Sequence, residues 1–130
     1  MYHSTPDSDP EKVKTALWHL VDDAAVSANV FVSNRPVNSD LTDFVVVNIN
    51  GAITDYDGYS RCICLVELFA KDIDKKGTPN MGKLTEMYEA LLAALPYNVA
   101  PYTFDKKNQI GTRDIHGFHV TRINLDCLIY

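Results

Sequence analysis

Hydrophobic positions along the chain change their period several times, and each change marks an element. Over residues 10–28, Val13, Ala16, Leu17, Leu20, Val21, Ala24 and Ala28 recur at helical spacing. They make one apolar stripe, with Trp18 and His19 on its flank. Asp9-Pro10-Glu11 supplies a helix start, Asp9 as the cap and Pro10 at the first helical position. Ser8 and Glu11 offer a capping-box variant one residue earlier. The period then shortens. Val30-Phe31-Val32 predicts a short strand, stopped by Asn34-Arg35-Pro36. A β-branched run over residues 44–49 ends at the turn signal Asn50-Gly51, and a second turn follows at residues 55–58. A long strand is expected over residues 59–71. Residues 71–79 form a polar loop. A second helix is expected over residues 80–95, with Met81, Leu84, Tyr88, Leu91, Leu92 and Leu95 as its stripe and Pro96 beyond its end. Residues 102–104 suggest a strand, 106–113 a polar hairpin tip carrying Gly111, and 117–130 a closing strand.

The expected order is therefore α-β-β-β-α-β-β. Strands joined by short turns argue for an antiparallel sheet of about four to five strands, with two helices packed on one face. Residues 1–8 read as a flexible N-terminal arm and 9–130 as a single α+β domain. The long strand carries a further message. A sheet with one wet face alternates apolar and polar residues. Here one side offers Ile63, Leu65 and Phe69, and the other Cys62, Cys64, Val66, Leu68 and Ala70. Two helices cover one side, so the second cover is expected from elsewhere, and a neighbouring subunit is the reading adopted.

Composition narrows the function classes. At 130 residues and 46% hydrophobic content, the chain suffices for one core without staples. Seventeen acidic against twelve basic residues give a formal charge of -5. An acidic domain gains nothing from phosphate counterion release, which disfavours general nucleic-acid binding. No run approaches the length of a membrane helix, and the first residues lack the apolar core of a secretory signal. Three cysteines, an odd number, do not suggest a disulfide framework, and a reducing cytoplasm is the natural compartment.

The candidate chemistry is thin. Gly77-Thr78-Pro79-Asn80-Met81-Gly82-Lys83 has the spacing of a phosphate-binding loop ahead of a helix. Leu84 stands where that loop needs a hydroxyl for magnesium, and the alternating β-α series is missing. A turn leading into a helix is the expectation. Cys62 and Cys64 share a strand face, and Cys127 could join them from another strand. A structural zinc wants four ligands, usually from tighter pairs on turns, so these read as small buried hydrophobes. His116 and His119, three apart on a strand, point to opposite faces, while His3 and His19 stand alone. Asp55 and Asp57 beside Gly58 lack the further ligands of a calcium loop. Glu67 and Lys71 lack the E-x-K spacing of a nuclease core. No catalytic residue, cofactor-binding residue or metal ligand is assigned, no cofactor is expected, and the chain reads as a non-enzyme.

The order of elements resembles the tail terminator (tail completion) proteins of long-tailed phages. Four features carry the resemblance: the first helix running into the 30–32 strand; the 44–49 strand paired through a short connection with the 59–71 strand; the polar loop leading to a second helix that ends Ala93-Ala94-Leu95-Pro96; and a final hairpin whose strand over residues 120–130 closes the chain. The resemblance implies a structural virion or prophage protein that forms a ring, typically a hexamer. Such a ring caps the tail tube and joins it to the head. It implies partners in copies of itself and in tube and head-tail connector proteins, with no membrane and no sequence-specific nucleic acid. The location implied is the virion tail, and the host cytoplasm during assembly. The arm and the loops 52–58, 71–79 and 106–113 are the expected contact segments. The alternative is a small α+β module that binds a ligand or protein without catalysis.

Overall fold

The structure, a computed structural model, describes residues 6–36, 40–114 and 116–130. A 3-10 turn, Pro6–Ser8, precedes helix α1, Pro10–Asp23. Strands β1 (Val30–Val32), β2 (Asp43–Ile49), β3 (Thr54–Tyr56) and β4 (Tyr59–Lys71) follow. Helix α2 is Met81–Ala93, and β5 (Tyr97–Val99), β6 (Tyr102–Arg113) and β7 (Phe118–Ile129) complete the chain. The α+β class stands, but the sheet is larger than the pattern predicts. It has seven strands in the order β1-β2-β4-β7-β6-β5, with β3 also on β4. It is mixed rather than antiparallel, because β1 runs parallel to β2, Val30 opposite Val45.

The additions have local causes. Asp57-Gly58 closes a two-residue hairpin in which Tyr56 faces Tyr59, and Gly58 takes φ 89. Positive φ at the second central residue alone is the type II pattern, which glycine adopts at no steric cost. Thr54–Tyr56 is thereby a strand where only a turn was expected, and it occupies the edge of β4 just beyond the reach of β2. Residues 106–113 are not a hairpin tip. They are the second half of β6, paired with β7 as far as Arg113 opposite His119. A bulge between Lys106 and Asn108 shifts the register of β6. Even-numbered residues face the helices before it and the opposite side after it.

Helix α1 starts where the pattern says. The Asp9 carboxylate accepts the Glu11 amide at 3.1 Å, with Pro10 in the first turn. It stops at Asp23 rather than at residue 28, because Ala25 turns the chain left-handed at φ 54. Trp18, on the flank, donates its indole N–H to the Val30 carbonyl at 3.1 Å and ties the helix to β1. Helix α2 is capped by Asn80, whose side chain accepts the Lys83 amide at 3.1 Å.

Both helices pack on one side of the sheet; α2 buries Leu91 of its expected stripe together with Met87, while Leu84, Tyr88, Leu92 and Leu95 are half-buried. Val13, Leu17, Leu20 and Val21 of α1 and Met87 and Leu91 of α2 meet Val45, Val66, Leu68, Ile123, Leu125 and Ile129. Each such side chain contributes about 1.5–3 kcal/mol by leaving water. The opposite side holds a smaller cluster: Phe44, Val46, Phe69, Phe118 and Val120, with Phe31 and Leu41 packed against it. Its cover is the chain itself. Parallel neighbours cannot be joined by a tight turn, so the connection from β1 to β2 must travel back along the strand direction. Ser33, at φ 70, begins that return, and Arg35 and Leu41 lie over the phenylalanines. The subunit expected to cover this side is therefore not needed at the phenylalanine end.

Candidate functional site

The side of the sheet away from the helices is the candidate site. It can be followed from one end to the other along β4 and β7. At the first end Phe44 and Phe69 stack at 4.5 Å, with Phe118 edge-on to Phe44 at 5.4 Å. The Arg35 guanidinium lies 5.1–5.7 Å from all three ring centres. It is also paired with Asp114, whose side chain is largely buried. One cation thus caps three aromatic faces while a carboxylate holds it in place.

The middle is open. Ile63 and Leu65 of β4 are half-buried, and no helix packs over them among the described residues. Around them lie polar pairs within the sheet itself. Glu67 accepts the Arg122 guanidinium directly across the strands at 2.9 Å. Asn124 bonds both Asn50, at 3.2 Å, and Asn108, at 2.7 Å. Asp126 takes two hydrogen bonds from Arg61, at 2.6 and 3.0 Å, and these raise the Arg61 pKa further above its ordinary value. The bulge in β6 turns Ile110 onto this side, opposite Arg122 and largely exposed.

The far end is aromatic again, but bare. Tyr56 and Tyr59 stack at 5.0 Å, and Tyr130 approaches Tyr59 at 6.4 Å. Tyr130 is 65% exposed. With Leu128 and the Arg61–Asp126 pair, Tyr59 and Tyr130 line a shallow hollow of about 390 Å³. Tyrosine, arginine and aliphatic residues with a polar rim are the composition of a protein-binding centre. The sheet edge is less inviting. Beyond Phe104 the outer side of β6 has no strand partner among the described residues. It carries a bulge and Lys106-Lys107, devices that discourage strand addition. The face, not the edge, is the surface on which another chain can pack.

The motifs singled out in the sequence fall elsewhere. Gly77 takes φ 82 and lies against Arg113: a Cβ there would meet the guanidinium at 2.6 Å. Asp74 shapes this loop by accepting the Thr78 hydroxyl at 2.8 Å and the Thr78 and Lys76 amides. These bonds, the Thr78 hydroxyl first, hold its carboxyl below the usual range. Leu84 is half-buried, and Met81, expected in the apolar stripe, is 68% exposed. His119 bonds the nearly buried Asp72 at 2.6 Å, and His116 is exposed on the turn before β7. Asp55 accepts the Ser60 hydroxyl at 2.6 Å. Cys62, Cys64 and Cys127 are buried on the helix side and converge. His3 lies outside the described residues, as do residues 1–5 of the expected arm and 37–39 of the crossover.

Sequence reasoning missed a groove of about 660 Å³ between α1 and the start of β6. Ala16, Tyr97, Val99, Ala100 and Tyr102 form its apolar wall; Glu11, Lys12, His19 and Asp23 of α1 form its polar rim. Tyr102 donates its hydroxyl to the Asp7 carbonyl at 2.7 Å, and burial raises its pKa to about 12. The signal available was Pro96 and Pro101 bracketing a short polar-aromatic stretch after the second helix. No helix among the described residues is long and apolar enough to cross a membrane. Comparison with known proteins finds no family model and no curated protein that matches the chain.

Proposed function

We propose that this protein is a non-catalytic structural component of a long-tailed phage, a tail terminator that assembles with its own copies into a ring. The ring caps the tail tube and joins it to the head. Its partners are itself, as a hexamer, and the tube and connector proteins; its place is the virion tail, reached from the host cytoplasm. The bare tyrosine end of the open sheet face carries this reading. Tyr56 and Tyr59 on their strands and Tyr130 just beyond β7 sit beside Leu128, and the Arg61 and Asp126 side chains around them are already bonded to one another. A partner can therefore bury the rings without stranding an unpaired charge. The guarded edge of β6 supports association through this face.

Native mass spectrometry and negative-stain imaging across a range of concentrations, with and without tail-tube protein, test the proposal. Closed rings are the expected result. A strict monomer under every condition overturns it.

The groove beside α1 favours a second reading, a small α+β module that binds a ligand or protein without catalysis. Its volume falls in the range of small-molecule sites. A monomer that loses ligand uptake when Ala16 is replaced by Trp would establish that reading in place of the ring.

A further inference from the structure

The three cysteines of the chain come together at one point in the core. Cys62 and Cys64 are two apart on β4 and so project to the same, helix-facing side. Cys127 on β7 stands directly opposite Cys62. The three sulfurs lie within 4.8 Å of one another, all unoxidised and at most 3% exposed. Their neighbours in the sheet, Phe104, Leu125 and Ile49, are apolar. Buried cysteines are common, but three thiols meeting in an otherwise apolar pocket form a ligand set.

The chemistry of the set selects the ligand. Metal–sulfur bonds of about 2.3 Å place three sulfurs in a trigonal plane about 4 Å apart. The present spacing closes onto that plane with a shift of less than about 1 Å. Zinc in a structural site takes four ligands, and among the described residues the group holds three. The nearby phenol of Tyr102 is bonded to the Asp7 carbonyl. Three soft thiolates in an apolar, water-poor pocket suit a soft monovalent ion. Tyr102, which pairs with Ile129 two residues beyond Cys127, lines the groove beside α1.

We propose that Cys62, Cys64 and Cys127 form a three-coordinate thiolate site for a soft monovalent metal ion of the copper(I) type. The site is independent of the open sheet face and of any ring. Binding of copper(I) sends the displaced thiol proton to solvent and changes no oxidation state; displacement of one proton by the one monovalent ion keeps the buried site neutral.

Anaerobic titration with copper(I) against a competing chelator tests the site, on the folded reduced protein and on protein refolded with the ion. The expected result is one ion per chain, with the luminescence of a water-shielded copper(I)–thiolate and three sulfur neighbours in X-ray absorption. Zinc(II) is expected not to compete. C64A and C127A should each lose the luminescence and weaken binding by at least tenfold, with unchanged far-ultraviolet dichroism. Should either variant fail to fold, the wild-type stoichiometry and sulfur count still decide. Binding below a tenth of an equivalent in both wild-type preparations overturns the proposal. So does a coordination number of two, or full binding retained in a folded C64A protein.

Discussion

The side of the sheet away from the helices has an aromatic cluster at each end, and the two are built differently. At one end Phe44, Phe69 and Phe118 pack under Arg35 and Leu41, closed by the crossover that parallel pairing of β1 and β2 demands. At the other, Tyr56 stacks on Tyr59 and Tyr130 lies tilted beside it, with no cover from the described residues. Phenylalanine has no polar atom and must be covered from within the chain. Tyrosine keeps a hydroxyl for water and tolerates waiting for a partner. The first end holds the fold together, and the second is available to another molecule.

Mutations can break this contrast. The largest expected effect is at the closed end. Phe44 is fully buried and touches three other rings, so Phe44→Ala should cost about 3–5 kcal/mol, measured by urea unfolding. Arg35→Ala should cost about 1–3 kcal/mol, since it bares the rings and strands the shielded Asp114 carboxylate. Arg35→Lys should recover only part of this, because ammonium lacks the planar fork. At the bare end the sign of the experiment reverses. The double variant Tyr59→Ala with Tyr130→Ala should change monomer stability by about 1 kcal/mol or less, yet weaken self-association at least tenfold in sedimentation velocity. Equal losses of stability at both ends would dissolve the distinction.

The smallest effect sharpens it through a tyrosine of a third kind. Tyr102 is buried and its phenol ionises near 12, raised from 10. Between those values the unfolded chain has lost the proton that the folded one keeps. Tyr102 therefore contributes stability that is full below pH 10 and is lost as pH rises through about 12. Spectrophotometric titration of wild-type protein against Tyr102→Phe should isolate one phenol with that midpoint, and the variant should show a shallower alkaline loss of stability.

How much of this was legible depended on whether side chains or backbone carried the element. Helix α1, the strand Tyr59–Lys71 and the helix side of the core were written in apolar periodicity and in Asp9-Pro10. The second half of β6 was not, because Asn108, Gln109 and Thr112 are exposed and the pairing with β7 rests on main-chain bonds. Strand β3 was legible in principle: Asp57-Gly58 between two tyrosines is a two-residue hairpin signal. The apolar stripe ran on past Asp23, and only the backbone of Ala25 shows that α1 had ended. For the candidate site, alternation along β4 showed apolar residues on both sides, but not that the second side is covered only at the phenylalanine end. That depended on β1 running parallel to β2, a fact of topology absent from local pattern. The tyrosine end could not be seen at all, since Tyr56, Tyr59 and Tyr130 are gathered from β3, β4 and the residue after β7.

The extra residue in β6 has a consequence for how this sequence can change. Before it, Tyr102 and Phe104 answer to the core; after it, Asn108, Ile110 and Thr112 are exposed, and only Thr112 stands opposite a buried residue, Val120. The strand is divided into a conservative half and a free half. Substitutions in the distal ribbon can alter what the molecule presents to its surroundings while leaving the interior untouched. Deleting Lys107 would exchange the two outward sets at a stroke, presenting a different surface on the same scaffold.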